Sequence, residues 1–174
     1  VISVQGCVNG YIPLMMRIDS CLHEGVNEVK VTVNTPYTDH SRWYAGSGIC
    51  REVWLYVGEE DHILPHGVKV TTLSHSPAVI RAECESEGDV RYTVLHGETP
   101  VAYGAGKSTE ITVPNAELWS AENPNLYTLK VELFEDGPKI DETYQKFGIR
   151  TLAWSAEAGF LVNGKHTLLR GGSI

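Results

Sequence analysis

Apolar and polar residues alternate with a period of two along much of this chain. Between Asn27 and Val33, Val29, Val31 and Val33 share one face while Lys30 and Thr32 take the other. Val90, Tyr92 and Val94 stand opposite Arg91 and Thr93. The run from Leu126 to Phe134 is the cleanest: Tyr127, Leu129, Val131 and Leu133 face one way, Lys130 and Glu132 the other. Successive side chains of a strand point to opposite faces, so this pattern predicts half-buried antiparallel strands. Helical spacing is nearly absent. Turn signals recur at short intervals: Glu87-Gly88-Asp89, His96-Gly97-Glu98, Asp136-Gly137-Pro138 and Asn163-Gly164. Gly and Asn supply the positive φ that tight hairpins need.

Many short strands with such punctuation predict an all-β chain in three pieces. Residues 1–60 carry predicted strands near 12–18, 28–33 and 53–57, too few to close a sandwich of their own. The charged stretch Gly58-Glu59-Glu60-Asp61-His62 reads as a linker. The second piece, 61–156, holds roughly seven strands between about 63 and 154, the complement of an immunoglobulin-like sandwich of ~100 residues. In the third, 157–174, a hairpin about Asn163-Gly164 leads to an apolar strand at Leu168-Leu169, which ends in Arg170-Gly171-Gly172.

Composition narrows the function. Hydrophobic residues make up 42% of 174 residues, enough to build a core. Lys and Arg number 14 against 22 Asp and Glu, for a net charge of -8 at pH 7. With no basic run, the chain is expected to bind neither nucleic acid nor anionic membranes. No apolar run approaches the ~20 residues that span a bilayer. The first residue is Val, and the chain is expected to be an internal piece, which leaves its cellular location open. Cys7, Cys21, Cys50 and Cys84 are irregularly spaced without a CxxC pair, so zinc and dithiol chemistry are not expected. They are expected to be buried free thiols.

Short motifs add little. Gly104-Ala105-Gly106-Lys107-Ser108-Thr109 imitates the end of a phosphate loop, but Val101 occupies the place of its first glycine and no helix pattern follows. It reads as a loop between strands. His62 and His66 flank Pro65, which removes the helix that would align them on a metal. No Gly-x-Ser-x-Gly elbow occurs, and spacing pairs no two carboxylates as acid and base. No metal or cofactor is expected. Arg42-Trp43-Tyr44 lies in a glycine-rich loop. Its rings and guanidinium suit stacking on a sugar and bonding its hydroxyls; equally, Trp43 suits plugging a seam between two sandwiches.

The run Arg42-Trp43-Tyr44-Ala45-Gly46-Ser47-Gly48-Ile49-Cys50-Arg51-Glu52-Val53-Trp54-Leu55 resembles the signature of family 2 glycoside hydrolases. There it lies near the end of the N-terminal sugar-binding jelly roll. Ala45, Glu52 and Cys50 depart from the usual Ser, Asp and Tyr. Asn9-Gly10-Tyr11-Ile12-Pro13-Leu14 and the turn Gly25-Val26-Asn27 resemble the same jelly roll. Leu118-Trp119-Ser120-Ala121-Glu122-Asn123-Pro124-Asn125-Leu126-Tyr127 resembles a run of the family's central immunoglobulin-like domain. Phe147-Gly148-Ile149-Arg150, Phe160-Leu161-Val162-Asn163-Gly164-Lys165 and Leu169-Arg170-Gly171 resemble the passage into its TIM barrel.

The resemblance implies a retaining β-glycosidase of the β-galactosidase, β-glucuronidase or β-mannosidase kind. Its two catalytic glutamates, ~5–5.5 Å apart, would sit on later barrel strands. The fold expected is then the later part of a jelly roll, an immunoglobulin-like sandwich and the first strands of the barrel. The carbohydrate substrate would meet Arg42, Trp43, Tyr44 and Arg170 in the full enzyme, while this chain alone is expected to be inactive. Unpaired strand edges and an uncovered apolar face including Ile12, Leu14, Val29 and Val31 predict self-association. A non-catalytic carbohydrate-binding or adhesive sandwich is the alternative.

Overall fold

A computed structural model describes residues 13–33, 48–49 and 51–172. The chain divides into two compact units, Val1–Trp54 and Leu55–Ile174. In the first, the described residues form one 3-10 turn, Asp19–Cys21, and no strand. The Gly25-Val26-Asn27 turn is present. Asn27 closes it by accepting from the His23 N–H at 3.0 Å and donating to the His23 carbonyl at 2.8 Å, while Gly25 takes φ 91°.

The predicted strands near 12–18, 28–33 and 53–57 are therefore not observed across their described residues. Alternation specifies which side chains share a face. A strand also needs a neighbouring backbone to bond with, and an isolated extended segment has none. Leu14, Val29 and Val31 are exposed, but so are Lys30 and Thr32, so no one-sided apolar face is formed; Ile12 lies outside the described residues. Cys21 is exposed too, against the expectation of a buried thiol; Cys84 is buried as expected, and Cys7 and Cys50 lie outside the described residues.

The second unit is built as the alternation predicts. Its described residues form ten strands: β1 Val68–His75, β2 Ala78–Cys84, β3 Asp89–His96, β4 Thr99–Ala105, β5 Ser108–Thr112, β6 Tyr127–Phe134, β7 Lys139–Phe147, β8 Leu152–Ser155, β9 Gly159–Val162 and β10 Lys165–His166. The first seven form a three-stranded sheet, β1-β2-β5, and a four-stranded sheet, β4-β3-β6-β7, with every pairing antiparallel. One core joins them. Ile80, Ala82 and Cys84 of β2 and Ile111 of β5 meet Val90, Tyr92 and Val94 of β3 and Leu129, Val131 and Leu133 of β6. Register aligns the layers: Ile80 faces Ile111 across one ladder, and Tyr92 and Val94 face Val131 and Leu129 across the other.

Turns stand where glycine and asparagine were read. Gly97 (φ 62°) turns β3 into β4, and Asp136 and Gly137 (φ 48° and 113°) turn β6 into β7. Gly106-Lys107, the phosphate-loop imitation, links β4 to β5. The Gly106 N–H donates to the Val90 carbonyl, and the Lys107 carbonyl accepts from the Cys84 N–H, each at 2.9 Å. Those backbone groups are spent on the fold and form no anion cradle.

Strands β8, β9 and β10 make a separate three-stranded sheet. Asn163 and Gly164, at φ 51° and 74°, form its second turn between the paired residues Val162 and Lys165. Two successive positive φ angles are what a two-residue hairpin loop demands. The predicted strand at Leu168-Leu169 is not formed; both residues are exposed and the ladder stops at His166.

Candidate functional site

Three of the runs singled out in the sequence come together in space, on the link between the two-sheet body and the β8–β10 sheet. The loop after β5 brings Trp119, the link after β7 brings Gly148 to Thr151, and the turn after β9 brings Asn163. Trp119 donates its N–H to the Ile149 carbonyl at 2.9 Å. The Arg150 guanidinium lies over the Trp119 ring, 4.5 Å from its centroid. A cation over an aromatic face is held by the ring quadrupole. Gly148 is needed here because a Cβ at that position would lie 2.9 Å from Trp119 side-chain atoms.

Asn163 ties the remaining strands in. Its N–H donates to the Thr151 carbonyl at 2.9 Å, its Oδ1 accepts from the Thr151 N–H at 3.0 Å, and its Nδ2 donates to the Trp119 carbonyl at 3.0 Å. Thr151 also reaches β1, its hydroxyl sharing a 2.7 Å hydrogen bond with His75 Nδ1. Ile149, between these polar contacts, is fully buried. Tyr127 is in the core as expected, its ring 5.9 Å from that of Phe147 and its hydroxyl accepting from the Glu117 N–H. Trp119, expected with Tyr127 in the sandwich core, is not a core residue. It is half-buried, because its ring lies under Arg150 rather than between the sheets.

Of the residues expected to meet substrate, Arg42, Trp43 and Tyr44 lie outside the described residues. Arg170 is exposed in the segment after β10. No group of three or more His, Cys, Asp or Glu suited to a metal ion occurs among the described residues.

Two shallow depressions open at one end of the body. One is lined by Glu60, Asp61, Glu85 and Glu87 with Lys107, the other by Asp61, Glu87, Asp89, Glu135 and Asp136. Repulsion from Asp61, and then partial burial and a hydrogen bond to Asp61, push the Glu135 carboxyl above its ordinary range. Trp119, Gly148, Arg150, Thr151 and Asn163 build a joint between the two-sheet body and the β8–β10 sheet.

The family described as glycosyl hydrolases family 2 matches residues 66–150, the stretch that holds β1 to β7. The chain is 29% identical to a β-galactosidase of Bacteroides ovatus over 83% of its own length and 20% of that protein. It is 30% identical to a β-galactosidase of Lactococcus lactis over 92% of its length and 17% of that protein. The solved β-D-glucuronidase of Dictyoglomus thermophilum superposes with a TM-score of 0.57 at 31% identity, covering 64% of this chain and 19% of that one. The chain belongs to glycosyl hydrolases family 2. It spans about a fifth of the length of the curated relatives it matches, between 17% and 23%.

Proposed function

We propose that this chain is the non-catalytic sandwich portion of a retaining β-glycosidase, one that hydrolyses terminal β-glycosidic bonds of galactosides or glucuronides. Residues 1–60 are assigned to the later part of a jelly-roll sugar-binding domain, 61–156 to an immunoglobulin-like sandwich, and 157–174 to the start of a (β/α)8 barrel. The strand orders β1-β2-β5 and β4-β3-β6-β7 around one core support the second assignment. Ile63 supports its lower limit: it is buried, and its N–H donates to Asp141 of β7 at 2.8 Å. One observation carries the whole reading: three sequence runs that resemble the family converge on a single joint leading out of the sandwich.

In the complete enzyme the acid/base and nucleophile are two glutamates of the barrel. Arg42, Trp43, Tyr44 and Arg170 approach the sugar from outside that pair, the rings by stacking and the guanidinium groups by bonding hydroxyls. Partners other than the carbohydrate substrate are not required.

The test is hydrolysis of nitrophenyl β-D-galactoside, β-D-glucuronide and β-D-mannoside by the complete gene product that carries this segment. Turnover with retained anomeric configuration is expected, together with none by the 174-residue chain alone. A folded, complete product that cleaves none of the three would return the chain to a binding or adhesive role.

A further inference from the structure

The side chain of Asn163 does more than its turn needs. A turn with two positive φ angles asks only for residues that tolerate them, and glycine would serve at position 163 as well as asparagine. Here the carboxamide accepts from the Thr151 N–H and donates to the Trp119 carbonyl, each at 3.0 Å. Those partners are 12 and 44 residues back in the sequence. Thr151 leads into β8, and Trp119 belongs to the loop of the two-sheet body. One short side chain therefore ties the open end of the β8–β9 ladder to a loop of the two-sheet body that no strand ladder connects to it.

The link before β8 is held to the body through Ile149, Arg150 and Thr151, but the β8–β10 strands themselves have little packing to orient them. Val162 is their one buried hydrophobic residue, and Leu152 and Trp154 stand exposed. Hydrophobic adhesion scales with apolar area removed from water, so a sheet that buries this little is weakly held by packing. Directional hydrogen bonds then set its angle. We propose that Asn163 is a positioning residue, whose carboxamide fixes the orientation of the β8–β10 sheet on the two-sheet body so that both turn as one rigid piece. If the glycosidase assignment above holds, the same bonds set the direction in which the barrel sets out. That consequence rests on the assignment, whereas the joint itself is read on this chain.

Asn163→Gly keeps the turn and removes both side-chain bonds. Asn163→Asp keeps the acceptor for the Thr151 N–H and removes the donor to Trp119. Residual dipolar couplings and amide exchange, measured by NMR on the full chain and both variants, report orientation and each bond separately. In the wild-type chain, couplings from β8–β10 and from β2, β3 and β6 should fit one alignment tensor. In Asn163→Gly they should require two, with exchange at the Thr151 amide faster by roughly five- to tenfold, the loss of one modest hydrogen bond. Asn163→Asp should restore slow exchange at Thr151. A single tensor and unchanged Thr151 exchange in Asn163→Gly would overturn the proposal. So would a variant whose Ile80, Tyr92 and Leu129 amides lose protection together with those of β8–β10, because that marks a folding role only. Failure of the hydrolase assignment would show instead in the nitrophenyl assay, which does not depend on these variants.

Discussion

Cys21 and Cys84 show how much a single position owes to its surroundings. The Cys84 thiol closes the inward row of β2, and burial pushes its pKa up, opposed by a hydrogen bond with the Ser86 hydroxyl. A raised pKa reduces the thiolate, and the thiolate is the reactive form. Cys21 is exposed on its 3-10 turn. Native-state alkylation read by mass spectrometry should therefore label Cys21 rapidly and spare Cys84 until the chain unfolds. The sequence had no means of separating the two, because Cys is small and apolar in either setting and neither lies in a spaced motif. Gly148 was legible only as part of a quoted run. Its reason is local: a Cβ there would press on Trp119 at 2.9 Å. Gly148→Ala should destabilise by about 1–3 kcal/mol, as forced overpacking does, and the urea midpoint measures it.

Among the elements, β3 and β6 were the most legible, and with β2 they carry the buried rows of the core. Each has a partner on both sides, and alternation places Val90, Tyr92 and Val94 of β3 and Tyr127, Leu129, Val131 and Leu133 of β6 in the core. Leu129→Ala on β6 should cost about 2–5 kcal/mol, the range for a truncated core residue, in the same denaturation measurement. The strands expected before residue 58 failed for the complementary reason: alternation cannot report whether a backbone neighbour is within reach. The joint at Asn163 was half legible. Its three runs stand out in the sequence, but nothing in a linear pattern shows that they touch.

The outer face of β6 and β7 carries a closed set of four charges, with Lys130 bonded to Glu132 at 2.7 Å and to Glu142 at 3.7 Å, and Lys139 bonded to both carboxylates. The hydrogen bond from Lys139, against some desolvation, holds the Glu142 carboxyl below its ordinary range. A depressed pKa means the folded chain binds fewer protons than the unfolded one, so this contribution exists above the usual carboxylate range and fades as pH falls through the folded value. The difference in urea midpoint between wild type and Glu142→Gln should be present at neutral pH and vanish in acid.

At the scale of the whole molecule, Val53, Trp54, Leu55, Tyr56 and Val57 are five consecutive apolar residues with exposures between 61% and 89%. A run of strong strand formers without Pro or charge invites another backbone to pair with it. The chain should self-associate with rising concentration in static light scattering, and replacing Leu55 and Val57 by Lys should return the mass to that of a monomer. A clean monomer for the unmodified chain would count against association. The strand count reads as three pieces, 1–60, 61–156 and 157–174, where the chain forms two compact units, Val1–Trp54 and Leu55–Ile174; the three-stranded β8–β10 sheet was seen only as a hairpin, because four residues at β8 are too few for alternation to declare itself. The joint beside that sheet also bears on how such a protein can drift. Trp119, Ile149 and Thr151 enter its ties largely through main-chain N–H and carbonyl groups, which every residue but proline possesses. Most positions around the joint are free to change identity without undoing it. Positions 148 and 163 are not, since one must lack a side chain and the other must have this one. In a saturation library selected for the folded chain, tolerance should collapse at Gly148 and at the fully buried Ile149, whereas exposed neighbours such as Ala153 and Trp154 accept many residues and Asn163→Gly survives without its angle, so that a lineage keeping Asn163 could rewrite the surface of this region and still inherit that angle.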